Sequence, residues 1–168
     1  QAVGHIPVDV KALGVDLLSA SGHKFNGPKG VGFLYIKKGT EIQPYANGGG
    51  QESGIRAGTE NIASIVAMAC ALRKNCDRII TVSERLSRME HIFIHTLNQA
   101  GIDYIRNGAD NHIPGNINIS IRDANGESLL HRLDLKGICI STGSACDSVN
   151  TKVSHVIQAI GIPKEYAQ

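Results

Sequence analysis

Apolar residues fall in short runs over the first third of the chain and at helical spacing through the middle. The run Val15-Asp-Leu-Leu-Ser19 predicts a buried strand, preceded by a short helical turn over Val8–Leu13 with Asp9 near its start. Val31-Gly-Phe-Leu-Tyr-Ile36 predicts a second buried strand, ended by Lys37-Lys38-Gly39. Gly48–Gly50 marks a turn, and the glycine-punctuated residues 47–61 read as an ordered loop. Thr59 reads as a helix N-cap with Glu60 in the first turn. Ile62, Ile65, Val66, Ala69 and Leu72 then recur at helical spacing. A second helix is predicted over about 80–99, with Leu86, Met89, Phe93 and Leu97 on one face and Gly101 as its stop. Strict alternation over Asn116–Ile121 predicts a half-buried strand. A short helix over Gly126–Leu133, a strand over Gly137–Ser141 and a helix through Val153, Val156, Ile157 and Ile160 complete the pattern. Strands, two helices and an α+β piece in that order suggest the end of one α/β domain, residues 1–75. Most of a smaller α+β domain follows, residues 76–168.

Composition narrows the class. The chain has 168 residues, 42% hydrophobic and 19% charged, so a core can be buried and disorder is not expected. The net charge of +2 comes from interspersed signs, which gives no basis for nucleic-acid binding. The apolar stretches are too short to span a bilayer, and no charged-then-apolar leader opens the sequence. The four cysteines, Cys70, Cys76, Cys139 and Cys146, form no C-x-x-C pair. A reduced, cytoplasmic setting follows more readily than a disulfide scaffold. For that reason the formal glycosylation acceptor at Asn118–Ser120 carries no weight. Gln1 at the start and Gln168 at the end read as points inside a longer protein.

Two segments carry chemistry. Ser21-Gly-His-Lys24 is followed at once by Phe-Asn-Gly-Pro-Lys-Gly-Val-Gly, which sets a lysine between a strand and a glycine-rich turn. A lysine held there can react as an amine, with Ser21 and His23 able to donate to phosphate oxygens. Spacing alone fits a surface lysine in a glycine turn equally well. Downstream, Ser141-Thr-Gly-Ser-Ala-Cys146 presents a cysteine among small residues. That suits a loop thiol that attacks as a thiolate, although composition alone favours a structural cysteine. Cys139, between Ile138 and Ile140, and Cys70, on an apolar helix, read as packing residues; Cys76 reads as exposed. His91 and His95 lie four apart on a predicted helix but lack the glutamate of a metalloprotease pattern, and a solvated face is the expected reading.

Taken together these segments resemble the cysteine desulfurases of the NifS/IscS type (group I), within the class V aminotransferase-like family. The resemblance rests on five segments in order: Gln1-x-x-Gly4, Ser21–Gly32, Gly48-Gly-Gly-Gln-Glu52, Arg56-Ala-Gly-Thr-Glu60 and Ser141–Cys146. It implies an α/β fold type I transferase dependent on pyridoxal 5'-phosphate (PLP), with the chain spanning the end of the large domain and most of the small one. It implies that Lys24 forms the imine with the cofactor, that Ser21 and His23 hold its phosphate, and that Gln1 meets the ring hydroxyl. Thr59 would reach the phosphate of a neighbouring subunit, which implies a homodimer. Lys29 and Arg56 would lie near the cofactor. Cys146 would take the sulfur of L-cysteine as a persulfide, release L-alanine, and pass the sulfur to iron–sulfur scaffold or sulfur-carrier proteins.

The family's pyridine-binding aspartate, stacking histidine and carboxylate-gripping arginine are expected outside these 168 residues, so the isolated segment is expected to be inactive. Asp147 stands where the family pattern has threonine. A selenocysteine lyase, a class V aminotransferase and a non-catalytic sulfur-carrier-binding scaffold are the competing readings. An aminotransferase has no use for Cys146, and a scaffold needs neither Lys24 nor Cys146.

Overall fold

The computed structural model describes residues 1–142 and 154–166. The chain divides into two compact units, Gln1–Arg85 and Leu86–Gln168.

In the first unit the helical turn at Asp9 forms as expected. The Asp9 carboxylate accepts from the Lys11 and Ala12 amides at 2.8 and 3.1 Å. Strands β1 (Leu17–Ser21) and β2 (Gly32–Ile36) pair antiparallel, with Leu17 opposite Ile36 and Ser21 opposite Gly32. Both strands were expected to be buried. Instead their side chains alternate between exposed and half-buried, and Leu17 and Leu34 are each about half exposed. Among the described residues the sheet has only these two strands, so each strand has an edge without a strand partner.

Between the strands the chain makes a tight 3-10 turn, Gly22–Phe25, closed by Asn26 in the left-handed region at φ 65°. Helix α1 (Ile62–Cys76) packs on this turn. Phe25 is fully buried and Met68 nearly so. The N-cap of α1 is Asn61, whose side chain accepts from the Ser64 amide at 3.2 Å, and not Thr59 as the pattern suggested. The asparagine oxygen takes the orphan amide one turn in, which starts the helix two residues later. The buried face also turns relative to the pattern. Ile65, Met68, Leu72 and Asn75 face inward, while Ile62 and Val66 are more than half exposed.

Helix α2 (Ile79–Gln99) ends as predicted at Gly101, with φ 66° and its amide bonded to Asn98. In the second unit its inward residues are Leu86, Glu90, Ile94 and Leu97. Met89 and Phe93, expected inside, are 58% and 41% exposed. Strands β3 (Tyr104–Arg106) and β4 (Ile119–Ile121) pair antiparallel, and α3 (Gly126–Asp134) starts at the Asn125 cap. Helix α4 (His155–Ala159) follows the segment 143–153. The strand expected over Gly137–Ser141 does not form: these residues find no strand partner and stay exposed. Cys139, in the unpaired run, and Cys70, on the outward side of α1, were expected to pack but are exposed; Cys76 is exposed as expected. The His91 and His95 rings stack with centroids 6.2 Å apart on an exposed face of α2. No helix among the described residues is long and apolar enough to cross a membrane.

Two polar clusters tie the second unit together. The Arg122 guanidinium bonds Asp103 at 2.6 Å and the Tyr166 hydroxyl at 2.7 Å, and its carbon lies 4.9 Å over the Tyr166 ring centre. The Tyr166 hydroxyl in turn donates to Asp103 at 2.8 Å. The returning 3-10 turn Lys164–Tyr166 is thereby fixed to the end of β4. The second cluster is centred on Glu90, which is 9% exposed. Its carboxylate accepts from Arg106 and, at 3.2 Å, from the Gly115 amide, with His112 Nε2 at 2.9 Å. The His112 Nδ1–H donates to the Asp110 carbonyl at 2.7 Å. Burial pushes the Glu90 carboxyl up, but the Gly115, Arg106 and His112 donors together outweigh it and hold the carboxyl below its ordinary value.

A carboxylate whose folded value is depressed stabilises the fold fully above its ordinary value of 4.5. That contribution is lost as pH falls through the depressed value. Glu90→Gln should therefore cost about 1–3 kcal/mol at neutral pH, because buried donors lose a charged acceptor. The gap from wild type should narrow in acid. Urea unfolding of the intact protein at several pH values checks this, and a pH-independent gap contradicts it.

Candidate active site

Lys24 sits in the 3-10 turn between β1 and β2, and the turn is fixed by its backbone. The Gly22 amide donates to Val31 at 2.8 Å and the Gly27 amide to Gly22 at 2.9 Å. A Cβ at Gly27 would stand 2.9 Å from the Gly22 oxygen, so glycine is needed for the turn to close. Burial of Phe25 carries the residue after Lys24 inward, and Lys24 itself is displayed at the surface.

The segment that carries Gln1 lies against this turn. His5 Nε2–H donates to the Lys24 carbonyl at 2.7 Å. Gly4, buried with φ 79°, passes so close that a Cβ there would stand 2.9 Å from the Phe25 Cβ. Gln1, three residues earlier, is exposed. From the other side, Asn75 on α1 donates to the Phe25 carbonyl at 2.7 Å and accepts from the Asn26 side chain at 3.2 Å. Sequence reading found neither His5 nor Asn75. Each acts on a backbone carbonyl of a distant residue, and no motif or periodicity marks such a contact.

Ser21, the last residue of β1, and His23 and Lys24 within the turn share one exposed stretch. Among the described residues their side chains make no hydrogen bond to protein. The donor set is a hydroxyl, an imidazole and an amine on a rigid turn flanked by glycine. It fits a ligand that carries both a phosphate and an aldehyde, as PLP does.

Thr59 makes no hydrogen bond to this stretch. It lies in the loop before α1, exposed, and the Asn61 cap leaves its hydroxyl uncommitted. The loop is shaped by a parallel bridge between Ala46 and Arg56 and by a bond from the Gly58 amide to Gln51 at 3.2 Å. The Arg56 guanidinium turns back to the Gly58 carbonyl at 3.4 Å, and Lys29 is exposed. A surface cavity of about 560 Å³ in the same unit is lined by Thr40, Glu41, Ile42, Gln43 and Ile55, away from Lys24. Cys146, with its neighbours Ser144 and Asp147, lies outside the described residues.

The geometry agrees with what known proteins resemble this chain. It is 50% identical over 168 residues to the cysteine desulfurase IscS of Dictyoglomus turgidum, covering 99% of this chain and 43% of that protein. It is 46% identical over 171 residues to the cysteine desulfurase IscS of Clostridium botulinum, again 99% of this chain and 43% of the relative. Among solved structures, a NifS-like protein superposes on the whole chain with TM-score 0.84 and 31% identity, covering 43% of that structure. A NifS-like protein from Rickettsia africae superposes on 98% of the chain with TM-score 0.83 and 28% identity, also covering 43% of that structure. The chain thus spans less than half the length of these relatives. The family description "Aminotransferase class-V" matches residues 1–161, and members of that family depend on PLP. The chain belongs to the class V aminotransferase family and forms part of its PLP-dependent fold type I architecture.

Proposed function

We propose that the protein carrying this chain is a PLP-dependent cysteine desulfurase that converts L-cysteine to L-alanine and collects the sulfur on Cys146. The observation that carries this reading is the rigid turn displaying Ser21, His23 and Lys24 with uncommitted side chains. The relatives named cysteine desulfurase support it.

When bound, PLP supplies an aldehyde that condenses with amines and a ring that takes up electrons from bonds broken at the substrate Cα. The chain's own residues do the rest. Ser21 and His23 donate to the phosphate, and Gln1 holds the ring hydroxyl. Lys24 tethers the cofactor and, once freed by substrate, moves the proton at the substrate Cα. The Cys146 thiolate attacks the substrate sulfur. An S–S bond forms as the C–S bond breaks, and the bonding pair stays on the substrate carbon, which is protonated to give alanine. Small neighbours let the loop of Cys146 deliver the sulfur elsewhere, to an iron–sulfur scaffold or a sulfur-carrier protein. Thr59, by the same resemblance, serves the phosphate of a second copy, so the enzyme works as a homodimer. Residues 1–75 belong to the large cofactor-binding domain and 76–168 to the small domain. The four cysteines, which form no C-x-x-C pair or disulfide pattern, fit a reduced setting such as the cytoplasm.

Two variants of the intact protein test the assignment. Lys24→Ala should abolish borohydride-trappable cofactor and lower alanine formation by about a thousandfold or more. Cys146→Ala should keep the trapped cofactor but lose alanine and sulfide release together. Alanine released at the full rate by Cys146→Ala would remove the thiol from the mechanism.

A further inference from the structure

Lys24 is fixed through the two carbonyls that follow its Cα, and each is held from a different part of the chain. The Lys24 carbonyl accepts from His5 at 2.7 Å. The Phe25 carbonyl accepts from Asn75 Nδ2 at 2.7 Å, across fifty positions of sequence. The orientation of the Asn75 amide is determined. Its second N–H returns to the Ala71 carbonyl at 2.8 Å, so a flipped amide would press its oxygen against two carbonyl oxygens. Its Oδ1 accepts from the side chain of Asn26, the left-handed residue that closes the turn, at 3.2 Å. One half-buried side chain therefore holds both the carbonyl and the side chain just beyond Lys24.

This pattern is more than helix packing requires. Phe25 is already anchored by burial, with its ring 6.5 Å from that of Phe33. Burial of the ring places Phe25, and the Gly22 and Gly27 amides close the two ends of the turn, which leaves the Lys24 and Phe25 peptide groups free to roll between those ends. The bonds of Asn75 and His5 act on the peptide groups themselves and remove that freedom. Rolling would swing the Lys24 side chain, which has no partner of its own among the described residues.

We infer that Asn75 is a positioning residue for the Lys24 amine, acting through the Phe25 carbonyl and the Asn26 side chain. The inference rests on the reading of Lys24 as the cofactor lysine. It adds a residue on α1, outside every motif, that sets the direction of the amine. An amine that must meet both an aldehyde carbon and a substrate proton tolerates little displacement, since a 1 Å error costs up to about a hundredfold in rate. Substrate binding does not pass through this contact, so the loss falls on kcat and spares KM.

The test uses the intact, cofactor-loaded protein. Borohydride reduction and peptide mapping of the wild type first establish which lysine holds the cofactor. Asn75→Ala and Asn26→Gly are then compared with wild type, with Glu90→Gln as a destabilised comparator that leaves the turn untouched. Asn26→Gly suits φ 65° and removes the Asn26–Asn75 bond while leaving the Asn75–Phe25 bond in place, so it keeps the test open should Asn75→Ala fold poorly. Asn75→Ala is expected to lower kcat for L-cysteine about tenfold with KM within about twofold. It is also expected to shift the pH midpoint of the cofactor absorbance and, in the apoprotein, to change the acylation rate of Lys24 relative to Lys29. Asn26→Gly should move the same readouts in the same direction by less. Label on another lysine overturns the functional reading and the inference with it. Label on Lys24 with unchanged midpoint and kcat in both variants overturns the inference alone, as does an equal midpoint shift in Glu90→Gln.

Discussion

Burial of the Phe25 side chain is the constraint on which the first unit depends. Phe25 is the largest fully buried side chain among the described residues, and it lies directly after Lys24. A buried phenylalanine removes roughly 1.5–3 kcal/mol of apolar cost from water, and in doing so fixes where its neighbours face. Gly22 and Gly27 let the turn close, Gly4 lets another segment pass against the Phe25 Cβ, and α1 supplies the covering layer. The result is an ordered backbone that displays an unengaged amine. Packing energy is spent on the residue next to Lys24, so the Lys24 side chain itself stays unengaged.

The second unit is held differently. Its few buried groups include Glu90 and Ser120, and its segments are joined by charged and aromatic clusters. Arg106, His112 and the Gly115 amide converge on Glu90, while Arg122, Asp103 and Tyr166 converge on one another. Directional bonds of this kind fix a loop and a returning segment where short strands bury little. A single polar residue in a helix face can therefore decide which side of α2 turns inward.

Much of the fold was legible because local rules decide it. The Asp9 turn, the stop at Gly101, the existence of α1, α2 and α3, and the two strands around Lys24 follow from caps, glycine and periodicity. Which face of each helix is buried was not legible. Periodicity names apolar positions but cannot tell which of two overlapping stripes meets a partner. On α1 the stripe through Met68 and Asn75 won over the one through Ile62 and Val66. On α2 the one through Glu90 won over Met89 and Phe93. The apolar run at Gly137–Ser141 looked like a strand because its composition suits one, yet a strand exists only where another pairs with it.

By itself the sequence determined which candidate residues stand together at the first turn and in what order, because a lysine and the glycines that expose it are adjacent in the chain. Gln1, Ser21, His23, Lys24 and Thr59 could be proposed from the family resemblance of their segments, as could Cys146, which lies outside the described residues. Only the tertiary structure decided what holds Lys24 in place. His5 and Asn75 act on peptide carbonyls nineteen and fifty positions away. A backbone carbonyl carries no sequence signature, so its partner becomes visible only once the chain has folded.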